Sequence, residues 1–270
     1  MDDFALQDYL QVEAAAFLLV FMRVLGLFLF APLYSSRLLP VSIRVHLVIA
    51  IAYGVVGLAR PPALAPSDPL DLAGRMAAEL VVGLILGGFV QFVFAALQLA
   101  GQTTGLQLGL ALANVVNPQF DEQISTTAVV YATVASLIFL ATGLDRELFR
   151  ALFETFEVVP PGEVVLDASA IEVVFRVLQQ SMIFSVRVAA PVAIAMLLAE
   201  IAMGFVGKTV PQLNILSVGF SVRIVLGLVV TMAGLSEVGR GFLDYAGQAV
   251  LDAVDALARL APGFNLDGSP

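Results

Sequence analysis

Residues 177–236 read VLQQSMIFSVRVAAPVAIAMLLAEIAMGFVGKTVPQLNILSVGFSVRIVLGLVVTMAGLS. Two apolar runs, 177–204 and 213–236, flank the short turn GKTVPQ. Each run exceeds the roughly 20 residues that a helix needs to cross a bilayer. A strand would be far shorter, about 4–8 residues. So tight a turn returns the chain alongside itself, and the stretch predicts an antiparallel helical hairpin. Four more apolar segments precede it, at 14–34, 41–59, 76–100 and 126–144. The expected fold is all-α and membrane-associated, built of long apolar helical hairpins.

Composition points the same way. Of 270 residues, 60% are hydrophobic and 13% charged, and mean hydropathy is +0.97. A soluble domain carries about 25% charged residues. So much apolar surface needs lipid or enclosing protein partners. Function is thereby narrowed to transport, channel formation, membrane assembly or intramembrane chemistry. The chain has no Cys, hence no disulfide, thiolate metal site or thiol nucleophile. Its single histidine, His46, excludes a His-rich metal centre. A net charge of −9 argues against nucleic acid as partner. The start, MDDFALQDYL, has no basic n-region, which predicts no cleaved signal peptide. With no Asn-x-Ser/Thr acceptor, the simplest home is a bacterial inner membrane.

The connecting segments differ in character. RPPALAPSDPLD from Arg60 is Pro-rich and extended, and DRELFRALFETF within 145–176 has the pattern of an amphipathic helix. After Leu235 the tail GFLDYAGQAVLDAVDALARL has helical period, with Leu243, Val250, Val254 and Leu257 near one face. The balance of Lys and Arg between alternate loops leans toward cytoplasmic termini.

Five charges lie inside apolar segments: Arg23, Glu79, Arg187, Glu200 and Arg223. Each costs about 2.5–3.5 kcal/mol at a bilayer centre, so all five are expected to be buried against protein or water. Structural ion pairing is favoured over a proton or substrate path. Across the turn, Glu200 and Arg223 fall about one helical turn from level and are expected to pair. Arg23 and Glu79 form a second candidate pair. Pro191 interrupts the backbone ladder of the fifth segment, as a hinge or as a fixed kink. Ala202 to Thr209 loosely matches a phosphate-binding loop, but an apolar helix precedes it and Val-Pro follows, so the match is read as coincidence.

The linker 101–125 contains GQTTGLQLGLALANVVNP. Gly101, Gly105 and Gly109 recur every four residues, which on a helix makes a bare strip for close backbone contact. The run then turns Leu/Ala/Val-rich and ends in Asn-Pro. It reads equally as a packed helix followed by a turn, or as a segment facing an internal pathway.

GLQLGLALANVVNP, GFVGKTVPQLNILSVGF and the N-terminal RVLGLFLFAPLYSSRLLP together resemble the FliR family of flagellar export-gate subunits and its injectisome counterparts in type III secretion. The order of apolar segments agrees from about residue 14 to 245. The most specific element is Lys208, Pro211, Gln212 and Asn214 between two apolar spans, with Gly219-Phe220 following. Family members usually carry Pro next, where this chain has Ser221. The resemblance implies a non-enzymatic subunit without cofactor, one copy of which joins several FliP-like and FliQ-like subunits in a helical gate. It implies an inner-membrane site in the flagellar basal body, a FlhB-like switch protein as partner and unfolded export substrates. It further implies a FliP-like part over 1–165, a FliQ-like hairpin over 166–250 and a tail over 251–270. A plug loop in the pore would correspond to Gly105, Leu106, Leu108, Gly109, Leu110, Ala111, Leu112, Ala113, Asn114, Val115, Val116, Asn117 and Pro118.

The alternative class is a small-solute secondary transporter, which would carry repeated halves with matching interruptions. Only one interrupted region is visible. An intramembrane hydrolase needs a Ser–His or paired-Asp constellation, and no Asp lies inside an apolar segment.

Overall fold

The computed structural model describes residues 3–35, 39–57, 68–109, 125–165, 168–210 and 215–260. All regular structure among them is helical, in seven helices. These are α1 (Asp3–Phe30), α2 (Val41–Val56), α3 (Pro69–Gln107), α4 (Thr126–Thr142), α5 (Leu144–Val158), α6 (Ala168–Thr209) and α7 (Ile215–Ala258). The fold is all-α and membrane-associated. Stretches of α1, α3, α6 and α7 are long and apolar enough to cross a membrane. The 41–59 segment forms only the 16-residue α2, whose rise of 1.5 Å per residue falls short of a bilayer core.

Helix ends depart from the apolar runs. α3 continues to Gln107 through Gln98, Gln102 and Thr103, so the linker begins later than expected. The C-terminal tail is no separate helix, because α7 runs unbroken to Ala258. Its buried face is Phe242, Ala246, Ala249, Val250, Ala253 and Leu257, with Leu243 and Val254 only partly covered. The amphipathic pattern of DRELFRALFETF becomes α5, which buries Leu148, Ala151, Leu152, Thr155 and Phe156. Gly143, at φ +77°, supplies the left-handed turn that starts it.

Two compact units form, each from separated stretches. Unit 1 comprises residues 1–92, 143–178 and 246–270. Its core includes Leu19, Val20, Val24, Leu27 and Phe28 of α1, spaced at helical period. Phe28, Tyr34 and Phe149 meet ring to ring. Unit 2 comprises residues 93–142 and 179–245. There Phe94 packs edge-on against both Phe139 and Phe242.

Candidate functional site

In unit 1 two of the five charges set in apolar segments are brought together. Arg23 on α1 and Glu79 on α3 are fully buried. Arg23 Nε donates to Glu79 Oε2 at 2.6 Å, and Nη1 donates to the Thr155 carbonyl at 2.9 Å and its hydroxyl at 3.2 Å. The second Glu79 oxygen accepts from the Gly162 amide at 2.7 Å. The guanidinium also lies 4.5 Å from the centre of the Phe156 ring. One charge pair thus fastens α1, α3, the end of α5 and the loop after it. Thr155 and Gly162 were not singled out in the sequence, since nothing local marks them as partners of residues so far away.

Glycines allow this closeness. A methyl group on Gly26 would stand 2.9 Å from Gly83 Cα, and one on Gly87 would stand 2.7 Å from the Leu27 carbonyl. The α1 and α3 backbones touch with no side chain between them. The four-residue spacing of Gly83 and Gly87 is the sequence signal of this contact.

In unit 2, Glu200 Oε1 on α6 meets Arg223 Nη2 on α7 at 2.9 Å. Burial of this pair was expected, yet the side chains are 48% and 37% exposed respectively. Arg187 is exposed too, and donates to the Tyr245 hydroxyl at 3.2 Å. Among the described residues this hairpin is thinly covered: in the apolar stretch of α7 just 11% of residues are buried. Glu200 and Arg223 line an open groove of about 550 Å³ with Gly109, Gly204, Lys208 and Phe220. Lys208 closes α6 and is exposed. Residues 202–209 are helical throughout, with no break at Gly204 or Gly207, so the strand–loop–helix of a phosphate loop is absent there. Pro211, Gln212 and Asn214 lie outside the described residues.

The glycine strip holds for two of its three members. Methyl groups would meet Ala128 N at 2.8 Å from Gly101 and Thr127 Oγ1 at 2.7 Å from Gly105, so α3 lies directly on the start of α4. Gly109 leaves the strip because α3 ends at Gln107. It has φ +76°, and its amide bonds the Leu106 carbonyl at 3.0 Å. Leu108 is fully buried with Val192 and Met196 and covers Gly227. The expected plug stretch therefore begins as a helix end and a buried leucine rather than an open loop, while Leu106 is exposed. Leu110, Ala111, Leu112, Ala113, Asn114, Val115, Val116, Asn117 and Pro118 lie outside the described residues.

Known proteins resemble the chain along most of its length. Flagellar biosynthetic protein FliR of Bacillus subtilis (strain 168) is 27% identical over 227 residues, covering 83% of this chain and 87% of the relative. The protein of that name from Escherichia coli (strain K12) is 28% identical over 214 residues, covering 77% and 79%. Yop proteins translocation protein T of Yersinia pestis is 25% identical over 259 residues, covering 94% and 97%. Residues 14–249, from α1 to well into α7, match the family described as bacterial export proteins, family 1, and the chain belongs to that family.

Proposed function

We propose that this chain is a structural and gating subunit of the flagellar type III protein export gate, and forms part of the pore for unfolded export substrates. The observation that carries this reading is the family match over residues 14–249. The thinly covered α6 and α7 support it, since apolar helices bearing half-exposed charges suit a chain that packs against other subunits. The chain works without catalysis or cofactor, in the bacterial inner membrane at the flagellar basal body. One copy joins FliP-like and FliQ-like subunits and meets a FlhB-like switch protein. Residues 1–165 form the FliP-like part, 166–250 the FliQ-like hairpin and 251–270 the tail.

The stretch from Gly105 to Pro118 is the plug. Leu108 roots it, and the Leu/Ala/Val run beyond Gly109 provides an uncharged seal that yields to an unfolded chain. Lys208, Pro211, Gln212 and Asn214 form the family turn at the hairpin mouth.

Co-purification from solubilised membranes tests the assignment. The chain should emerge in a large complex with two other small hydrophobic proteins, and should be poorly recovered when expressed alone. A well-behaved monomer that carries a small solute by itself would replace the gate with the transporter reading.

A further inference from the structure

Within unit 2 the end of α3 and the buried face of α7 meet along an antiparallel seam whose contacts change in character from one end to the other. At the far end Phe94 and Phe242 pack edge-on, 5.1 Å between ring centres. Further along, the hydroxyls of Thr104 on α3 and Thr231 on α7 both lie within hydrogen-bonding reach of the Tyr131 hydroxyl of α4. All three residues are buried. A phenolic hydroxyl donates one hydrogen bond and accepts others, so Tyr131 can serve both threonines. Leu108 comes next, against Gly227, and Gly109 last, beneath the Phe220 ring.

Leu108 occupies a notch that only glycine leaves open. A methyl group on Gly227 would overlap Leu108 Cδ2 and stand 3.1 Å from its Cγ. Val192 and Met196 are buried with it, and Ala195, Leu226 and Val230 pack around them. Every side chain around Leu108 is thus apolar. It can leave and return without stranding a buried polar group, which the hydroxyl trio behind it cannot do. The last helical hydrogen bonds of α3 are made here, from the Leu108 amide to the Thr104 carbonyl and from the Gly109 amide to the Leu106 carbonyl, both 3.0 Å. Two carbons of the Phe220 ring stand 3.4 and 3.6 Å from the Cβ position of Gly109. That ring restrains a swing about Gly109 alone, so a pivot at this place takes in Leu108.

We propose that Leu108 in the Gly227 notch is a releasable catch, seated when the gate is closed and withdrawn while an unfolded chain passes. Thr104, Tyr131 and Thr231 hold the helix end to which it returns. The proposal rests on the plug reading, because the catch lies directly before that stretch.

The chain has no cysteine of its own, which permits a reversible lock. In Leu108→Cys with Gly227→Cys, the sulfur at 108 takes the place of Cγ, 3.1 Å from the Cβ position at 227. A disulfide holds those two atoms about 3.0 Å apart, from its S–S length and bond angle. The smaller cysteine at 108 also lacks the carbon that a side chain at 227 would meet. The full chain with both changes replaces the wild type in cells, and secreted flagellar subunits are measured in the medium. The reduced pair should export. A mild thiol oxidant should form the bond, detected by mass spectrometry, and stop export until reductant restores it. Wild-type cells should export throughout the same treatment. Unchanged export from a chain shown to be cross-linked would make the contact static and overturn the catch. Failure of the bond to form would take Leu108 out of the notch and overturn it as well.

Where the cysteine pair does not assemble, a size exchange decides. Gly227→Ala should unseat Leu108 and raise dye flux several-fold through the assembled complex. Adding Leu108→Val, which lacks the overlapping carbon, should bring flux back near the wild-type level. An assembled Gly227→Ala complex that stays dye-tight would overturn the catch. A 110–116 deletion that stays dye-tight faults the plug reading instead, so the two failures are told apart.

Discussion

Arg23 is held by a carboxylate, a carbonyl, a hydroxyl and a ring, all away from solvent, and the effect of losing it follows from that. Removing one member of a buried pair leaves the other charge uncompensated, at a cost of about 3–5 kcal/mol, whereas apolar replacement of both costs much less. Arg23→Met alone should therefore lower the unfolding midpoint of the solubilised complex more than Arg23→Met with Glu79→Met. Equal losses in the two would mean that the pair is not the source of stability. Glu200 and Arg223 pair across the hairpin as expected, but with half-exposed side chains. As an exposed pair they contribute about 0–1 kcal/mol in the chain alone. If partner subunits cover their groove, Glu200→Ala should reduce recovery of the assembled complex more than the double change with Arg223→Ala, and additive losses would remove the pairing from assembly. Sequence could locate these charges, because a charge inside an apolar run is conspicuous. It could not rank their burial, because Thr155 and Gly162 close over Arg23 and Glu79 from 132 and 83 residues away.

Among helices, the period of apolar residues was readable and the ends were not. α5 buries the face its pattern marks out, since an isolated amphipathic segment has only one face to hide. α3 outruns its apolar stretch because Gln and Thr stay helical once a turn is propagating, and apolarity reports where a helix is dry rather than where it stops. Glycines separate contact from mere flexibility. Gly83 and Gly101 face neighbouring backbone, while Gly247 faces open space within the chain. Gly83→Ala and Gly101→Ala should each destabilise by about 1–3 kcal/mol, as overpacking does. Gly247→Ala should be neutral or stabilising by up to about 1 kcal/mol, through helix propensity. Gly105→Ala should destabilise comparably to Gly101→Ala, because the added methyl would stand 2.9 Å from Ser125 Cβ, which no rotation moves. Thermal midpoints of the complex would order the four variants, and a Gly101→Ala protein as stable as Gly247→Ala would break the argument.

For the whole molecule, the strongest prediction concerns the proposed plug and separates anchorage from sealing. Leu108 is buried with Val192 and Met196, directly before the Leu/Ala/Val run that starts at Leu110. A closed gate has to stop ions while yielding to a polypeptide, which favours an uncharged, deformable segment on a fixed root. Sequence showed the run's composition but not the root, because Leu108 looks like its neighbours until α6 and α7 close around it. Deleting part of 110–116 leaves Leu108 and the contacts of Gly101 and Gly105 in place. Assembly should then survive largely intact while membrane permeability to ions or a small dye rises. Leu108→Ala acts on the root instead, and should cost about 2–5 kcal/mol of stability as a buried cavity. It should raise permeability only if the seal depends on where it is anchored. Recovery of the assembled complex and dye flux, measured on the same membranes, distinguish the two. A deletion that assembles and leaves flux unchanged would remove the plug from this segment while leaving the family assignment standing. A deletion that abolishes assembly would make 110–116 part of the packing, as the helix-and-turn reading of this linker requires.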